Sequence, residues 1–213
     1  MELSTVGPCH GEDPPADKED DMNTLDAIRG RRSIREFRDK DIERETIEKL
    51  LEAAVMAPSA KNSQPWRFTV IEKAHRGEFL DIIRKGVANR KAEGEEVGTI
   101  QWSIRCIEQA PVTILVNNTD GIHPWEARKE NESWWDVATV QSIGAAIQNM
   151  LLAATELGLG SLWIADVWEA YAEINTWLET DDQLVAAVSF GYTDSAPPTP
   201  ARKPTEETVR WLV

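Results

Sequence analysis

The chain contains few of the residues that build disulfide frameworks and metal sites. It has two cysteines, Cys9 and Cys106, and three histidines, His10, His75 and His123. Neither cysteine belongs to a Cys-x-x-Cys motif and the histidines show no paired spacing, so the sequence predicts neither a disulfide framework nor a metal site. Because a basic and then apolar signal-peptide pattern is also missing, we expect a reducing, cytoplasmic setting.

Motifs for nucleotide binding and nucleophilic catalysis are missing too. There is no P-loop and no Gly-x-Ser-x-Gly stretch. The pair Gly158 and Gly160 lacks a third glycine, because Trp163 stands at that position, so it is not a dinucleotide fingerprint. The longest apolar run, residues 143–159, is interrupted by polar residues such as Gln148, which predicts a buried helix rather than a membrane span.

Positive charge is scarce in the chain as a whole. The 37 acidic residues outnumber the 23 basic ones, giving a formal net charge of −14. Because nucleic acids select basic surfaces, this balance argues against them as partners. Residues 1–21 hold seven acids, one lysine and three prolines without apolar periodicity. We therefore predict that this segment is disordered and that residues 22–213 form one domain.

One short stretch reverses the overall charge. Residues 29–38, here called the arginine segment, contain five arginines and one acid, Glu36, which gives a local formal charge of +4. A guanidinium can donate two parallel hydrogen bonds to phosphate oxygens, and the hydroxyl of Ser33 can add another. The segment therefore predicts an anion site with phosphate as its ligand. The alternative is a solvated face whose arginines pair with acids elsewhere.

A second polar stretch, residues 57–68, combines two prolines with an amide pair. Pro58 and Pro65 restrict the backbone, so the side chains of Asn62 and Gln64 are held in place. Fixed amide groups of this kind suit a loop that reads the edge of a planar heterocycle. We call residues 57–65 the Pro58 loop.

Together these motifs resemble the nitroreductase family of FMN flavoproteins. The resemblance covers residues 22–213 and rests on four motifs in order: Arg31-Arg32-Ser33, Pro58-Ser59-x-x-Asn62-x-Gln64-Pro65-Trp66, Gly158-Leu159-Gly160 before a strand, and Arg202-Lys203-Pro204. It implies an α+β fold, with a central, mostly antiparallel sheet flanked by helices. It also implies a long helix at a homodimer interface and an extended C-terminal tail.

The resemblance also implies which residues bind FMN. Four residues of the arginine segment would hold the phosphate and the ring edge: Arg31, Arg32, Ser33 and Arg35. The partner subunit would add Pro58, Ser59 and Asn62. Backbone at Ile164, Ala165 and Asp166 would lie beside the flavin, with one amide reaching N5, and Arg202 would return to the phosphate. Some family members have glutamate and glycine where this chain has Ala165 and Asp166, so no side-chain role is implied there.

The implied activity is that of an FMN-dependent oxidoreductase. NADH or NADPH would reduce the cofactor, and a planar small molecule such as a nitro compound or a quinone would then take the electrons in a ping-pong cycle. The cofactor carries such chemistry, so the protein needs no acid, base or nucleophile of its own. The alternatives are a non-catalytic flavin-binding or interaction protein, and an FMN enzyme of specialised chemistry such as dehalogenation, dehydrogenation or flavin fragmentation.

Apolar periodicity and turn residues predict the secondary structure. A helix over residues 24–30 precedes the arginine segment, and a second helix, capped by Asp41, ends before Pro58. Further helices are predicted over 74–90, 100–108 and 168–178, and one from about residue 136. The predicted strands cover 66–71, 112–116, 160–164 and 184–190. The prolines of residues 193–204 exclude a helix there.

Two features of the middle of the chain allow two interpretations each. Residues 117–135 are predicted to form a long loop whose tryptophans, Trp125, Trp134 and Trp135, either cover a substrate as a lid or pack the loop onto the domain. In the following helix a seam at Val140, Gly144, Ile147 and Leu151 includes a small residue. That seam is either a homodimer interface, as the resemblance implies, or the core side of a monomer.

Overall fold

A four-stranded sheet organises residues 22–212, which are the residues that this computed structural model describes. The strands are β1 (Trp66–Glu72), β2 (Val112–Asn118), β3 (Gly160–Ile164) and β4 (Gln183–Gly191). The helices are α1 (Thr24–Gly30), α2 (Arg44–Val55), α3 (Lys73–Ala92), α4 (Ile100–Gln109), α5 (Glu130–Glu156), α6 (Tyr171–Trp177) and the single turn α7 (Thr205–Thr208). Short 3₁₀ helices cover Ala60–Asn62 and Asp166–Ala170. The prediction of disorder for residues 1–21 lies outside the described residues.

The strand order is β1-β2-β4-β3, and every neighbouring pair is antiparallel. All residues of the two central strands are buried, and a bulge interrupts their pairing between Val116 and Asn117. At the outer edge of β3, Ser33 forms a parallel bridge with Ser161. The predicted antiparallel sheet is confirmed, and the bridge brings the arginine segment to its edge.

Helices cover both faces of the sheet, which confirms the α+β class. Alternate side chains of β2 point to opposite faces, so Ile114 and Val116 pack against α2 and α5 while Leu115 packs against α3, α4 and α6. Each face therefore has its own apolar core. The strand positions were predictable because alternation and continuous apolar runs mark half-buried and fully buried strands.

The longest helix, α5, buries one side on the sheet. Ile143, Ile147 and Met150 are fully buried in the core that it shares with α2. By length and composition α5 could cross a membrane, but this burial is that of a core helix. Of the predicted seam, Ile147 and Leu151 face the core of the same chain, whereas Val140 lies at the surface.

Three features of the helices differ from the sequence prediction. The helix predicted from about residue 136 begins at Glu130, so Trp134 and Trp135 lie on α5 and not in a loop. Its polar first turn resembles a loop in sequence, but the Glu132 carboxylate accepts a hydrogen bond of 2.8 Å from the backbone N–H of Lys129 and stabilises the helix start. The loop is therefore shorter than predicted.

The second difference concerns the start of α2. Asp41 does not cap this helix, which begins at Arg44 after Glu43 and has no side-chain cap. An ion pair of 3.2 Å between Arg44 and Glu48, one turn apart, lies at its start instead. The third difference is that the helix predicted over residues 168–178 divides into the end of a 3₁₀ helix, which covers Asp166–Ala170, and α6 (Tyr171–Trp177).

Candidate active site

The arginine segment is fixed to the edge of the sheet by its backbone. The N–H of Ile34 donates a 2.9 Å hydrogen bond to the carbonyl of Ser161, and the Ile34 side chain is buried. Gly160 makes this close approach possible, because a Cβ there would lie 2.9 Å from Cγ2 of Ile34. The position of the arginines therefore depends on the absence of a side chain in β3.

Only part of the segment is neutralised by acids. Arg29 lies 3.5 Å from Asp26, and Arg38 pairs with Asp194. Within residues 22–212, the other three arginines of the segment form no ion pair: Arg31, Arg32 and Arg35. The interpretation as a solvated, paired face therefore holds for the two ends of the segment and not for its centre.

Arg32 is held where the C-terminal tail passes the segment. Its guanidinium donates to the carbonyls of Arg29 (2.6 Å) and Arg31 (2.9 Å), and to the hydroxyl of Thr199. Arg202 follows three residues after Thr199 and is exposed. The tail thus runs past the predicted phosphate contacts, although the structure shows no hydrogen bond from the Arg202 side chain within the described residues.

A groove of about 340 Å³ lies between the segment and the tail. Arg32 and Gly30 line one side, and Thr193 and Ser195 line the other. The tail is anchored there because the Thr193 hydroxyl donates a 2.8 Å hydrogen bond to the carbonyl of Glu36. The groove is therefore lined by hydroxyl groups and by the Arg32 guanidinium.

Arg35 lines a larger cavity of about 450 Å³ between β3 and α4. The three residues predicted to lie beside the flavin line the same cavity: Ile164, Ala165 and Asp166. Sequence reasoning missed the contribution of α4, which adds Trp102, Ser103 and Cys106. The signal that could have indicated it is Trp102, whose side chain is 65% exposed on an otherwise amphipathic helix.

Asp166 is the acidic group of this cavity. Its Oδ2 accepts a 2.9 Å hydrogen bond from the hydroxyl of Thr99, whereas Oδ1 is buried and has no hydrogen-bond partner. Burial raises the pKa of the nearby Cys106 thiol, with Arg35 opposing the shift and Asp166 adding to it. Cys106 is therefore a neutral thiol at physiological pH and not an activated nucleophile.

The Pro58 loop lies against α5, apart from the Arg35 cavity. The Ser59 hydroxyl accepts a 3.0 Å hydrogen bond from the N–H of Gln64, and the N–H of Ala60 donates to Ser142 of α5 at 3.1 Å. Asn62 has a left-handed backbone (φ 56°), which non-glycine residues rarely adopt outside functional or tightly constrained turns. None of the loop residues lines the Arg35 cavity of its own chain.

The three tryptophans of the predicted lid occupy two places. Trp134 and Trp135 line an apolar groove beside the Pro58 loop, and Lys61 lies 5.4 Å from the Trp135 ring centroid. Trp125 instead stacks on His123 at 5.2 Å and contacts Tyr171 edge-on at 4.7 Å. The structure thus brings the first two to the Pro58 loop but packs Trp125 on the domain.

Comparison with known proteins gives consistent results. The family model described as "Nitroreductase family" matches residues 28–192. A protein of Methanothermobacter thermautotrophicus, named as an NADH dehydrogenase/NAD(P)H nitroreductase, is 34% identical over 67% of this chain and 60% of its own length. A Rhodospirillum rubrum protein named 5,6-dimethylbenzimidazole synthase is 34% identical over 66% of this chain and 68% of its own length.

A solved structure extends the similarity to the fold. A nitroreductase of Desulfovibrio desulfuricans in complex with FMN is 30% identical, with a TM-score of 0.68 over 89% of this chain and 96% of that one. The antiparallel sheet with helices on both faces therefore gives this protein the same α+β fold as that FMN-bound structure. More specifically, the chain belongs to the nitroreductase family, since the family model matches most of it.

Proposed function

We propose that the protein is an FMN-dependent oxidoreductase that uses NADH or NADPH to reduce a planar, conjugated small molecule such as a nitro compound or a quinone. The observation that carries this proposal is the group of Arg31, Arg32 and Arg35, which have no carboxylate partner within residues 22–212 of a chain whose net charge is −14. An acidic protein that leaves cations without a carboxylate partner at one place is suited to bind an anion there.

The residues of the arginine segment and the tail fit the phosphate of FMN. Arg31, Arg32 and Ser33 supply charged and hydroxyl donors for the phosphate. Arg202 would add a further cation from the tail. When bound, FMN would accept two electrons from the nicotinamide and pass them to the second substrate.

The Arg35 cavity fits the ring. Arg35 can donate to the ring's carbonyl oxygens, which are acceptors. β3 is an edge strand, and the bridge from Ser33 covers only Ser161, so backbone groups farther along, at Ala165 and Asp166, are available to a ligand. This supports a backbone contact to the flavin at these positions.

A homodimer would complete the site. We propose that Pro58, Ser59 and Asn62 reach the flavin of the partner subunit, because the Pro58 loop is held by hydrogen bonds and lies away from the Arg35 cavity of its own chain. The outward side of α5 beside it exposes large apolar groups, with Trp134 exposed to 72% and Val137 to 56%. Contiguous apolar surface of this kind favours association.

The dimer is tested best at Val137. A glutamate there would place a charge in the contact, whereas a side chain at Gly144 would first meet Trp163 of the same chain, 3.8 Å from its Cβ position. We expect Val137→Glu to give a monomer that has lost FMN, measured by light scattering and flavin absorbance across a dilution series. Val55→Glu on α2 is a matched exposed control. A wild-type monomer that keeps FMN at every concentration would contradict the shared site.

The function is tested by purification and turnover. We expect a yellow protein with about one FMN per chain that oxidises NADH or NADPH when an acceptor is added. FMN binding without turnover would favour the non-catalytic alternative, and a colourless protein that takes up no added FMN would refute the proposal. A small-molecule substrate, the absence of nucleic-acid and membrane partners, and a cytoplasmic location remain predictions.

Flavin fragmentation is a second candidate, because one relative is named 5,6-dimethylbenzimidazole synthase. The two candidates differ in what happens when the reduced holoprotein meets oxygen. An oxidoreductase of the first kind regains its full flavin absorbance in each cycle. Stoichiometric, irreversible loss of that absorbance would favour fragmentation.

A further inference from the structure

Another cavity lies between the C-terminal end of α3, the 3₁₀ helix Asp166–Ala170, α6 and the loop that carries Trp125. Its volume is about 420 Å³, which is within the usual range of small-molecule sites. It shares no lining residue with the Arg35 cavity or with the groove beside the C-terminal tail. The proposed FMN contacts therefore leave this cavity free.

Three aromatic side chains line the cavity: Trp125, Trp168 and Tyr171. The ring N–H of Trp168 donates a 2.8 Å hydrogen bond to the carbonyl of Val185, and Trp125 contacts Tyr171 edge-on at 4.7 Å. Although both indoles are held by their own chain, Trp168 is 51% and Trp125 65% exposed. Aromatic rings that are fixed but uncovered can bind a ligand without first being ordered.

The charged residues of the lining are mostly acidic. Three carboxylates, of Glu93, Glu169 and Glu173, stand against one guanidinium, of Arg90, which gives a formal charge of −2. Arg90 lies 2.7 Å from Glu169, so these two groups neutralise each other. Glu173 accepts a 2.6 Å hydrogen bond from the uncharged amide of Asn89, and Glu93 forms no ion pair within the described residues. Two negative charges therefore have no cation beside them.

Aromatic faces and carboxylates have one preferred ligand in common. The negative face of an aromatic ring attracts a cation, and carboxylates attract it by simple charge. Aromatic rings alone would also bind neutral apolar molecules, whereas carboxylates alone would favour a small hydrated ion. A lining that combines the two favours a cation that carries apolar substituents.

We propose that this cavity is a second ligand site, which binds a small organic cation of the substituted-ammonium type. Trp125 and Trp168 contact the carbon groups around the nitrogen, while Glu93 and Glu173 balance its charge. The site lies outside the FMN contacts, so the inference goes beyond the proposed function and does not depend on it.

The test compares three probes on the full-length protein as purified. Choline, its neutral isostere 3,3-dimethylbutan-1-ol and phosphocholine are titrated separately, and binding is measured by calorimetry. We expect choline to bind at least about tenfold more tightly than the isostere, which has the same shape without the charge. Phosphocholine should bind more weakly than choline, because its phosphate is repelled by the acidic lining.

Two variants, each with a matched control, assign the binding to this cavity. Trp125→Leu removes one ring and should weaken choline binding about fivefold or more, whereas Trp211→Leu changes an 80% exposed tryptophan outside the cavity and should not. Glu93→Gln removes one charge and should weaken choline binding by roughly two- to fivefold. Glu96→Gln makes the same change at an exposed position outside the cavity and should have no effect.

Each outcome decides for or against the site. Equal binding of choline and its isostere, or no saturable binding of choline, would overturn the proposal. Tighter binding of phosphocholine would indicate a lipid headgroup rather than a free cation and would also contradict it. Unchanged choline affinity in both Trp125→Leu and Glu93→Gln would place the binding elsewhere. A protein that binds choline as expected but takes up no FMN would refute only the proposed function.

Discussion

The arginine segment and the loop of residues 119–129, here called the Trp125 loop, both contain arginines close to aromatic or hydroxyl groups. The two regions differ in the partners of these arginines. In the Trp125 loop, Arg128 donates to the carbonyls of Ile122 (2.8 Å) and His123 (3.1 Å) and lies 3.4 Å from Asp136. In the centre of the arginine segment, Arg31 and Arg35 have no carboxylate partner within residues 22–212.

This difference distinguishes a charge that stabilises the fold from a charge that is available to bind a ligand. A guanidinium that donates to carbonyls and is also paired with a carboxylate of its own chain stabilises the fold and has little charge left for a ligand. Neighbouring arginines without partners repel one another, which costs stability in the absence of an anion. The same sequence feature, an arginine near aromatic residues, therefore has opposite meanings in the two regions.

The largest effect is expected at Arg31. Its side chain makes no hydrogen bond within residues 22–212 and is repelled by the neighbouring arginines, so Arg31→Ala should not destabilise the apoprotein. Loss of one charged hydrogen bond to phosphate should weaken FMN binding by about 1.5–3 kcal/mol, or roughly 10- to 150-fold. Titration of the apoprotein with FMN measures this.

Riboflavin, which lacks the phosphate, is the control ligand for Arg31→Ala. Its affinity should be nearly the same for the variant and the wild type. Equal losses for both ligands would contradict the phosphate assignment. Arg32→Ala is a less clean variant, because it also removes hydrogen bonds to Arg29, Arg31 and Thr199.

The opposite result is expected at Arg128. Arg128→Ala removes two hydrogen bonds to carbonyls and leaves Asp136, 13% exposed, without its cation. We expect the free energy of unfolding to fall by about 1–3 kcal/mol, because two charged hydrogen bonds are lost and the largely buried Asp136 carboxylate loses its cation. The folded variant should bind FMN as the wild type does.

Denaturant unfolding and FMN titration together check the Arg128 prediction. Lys129→Ala is the neighbouring control, since the side chain of Lys129 is 83% exposed and lies 3.8 Å from Glu132. A large loss of FMN affinity in Arg128→Ala at unchanged stability would show that the Trp125 loop belongs to the site.

The smallest effect is expected at the exposed pair that follows the arginine segment. A 2.6 Å hydrogen bond from Lys73 lowers the pKa of Asp39 below its usual value of 3.8. A carboxyl with a lowered folded-state pKa stabilises the protein above its unfolded pKa, and this contribution disappears as the pH falls through the folded value.

Asp39→Asn should therefore lower Tm slightly at pH 7 and not at all at a pH below the lowered pKa. Surface ion pairs contribute little, so FMN binding should not change. Thermal unfolding at the two pH values measures the difference. A Tm difference that persists in acid would mean that Asp39 acts through something other than its charge.

Local patterns in the sequence were sufficient to predict most helices and strands and to identify the family. Residues 24–30 and 160–164 form the helix and the strand that apolar spacing and flanking residues predict. Periodicity works there because each element buries one side along its own length. The start of α5 at Glu130 was missed, since its polar first turn depends on a side-chain cap that resembles loop composition.

The arrangement of the candidate site depends on contacts that no local pattern contains. Trp102 and Ser103 line the same cavity as Arg35 because α4 packs against the 3₁₀ helix that follows β3, and these residues are far apart in the sequence. Whether an arginine is paired with a carboxylate depends on which side chains the fold brings within about 3 Å. Residue type gives the available charge, and long-range packing determines whether the protein or a ligand uses it.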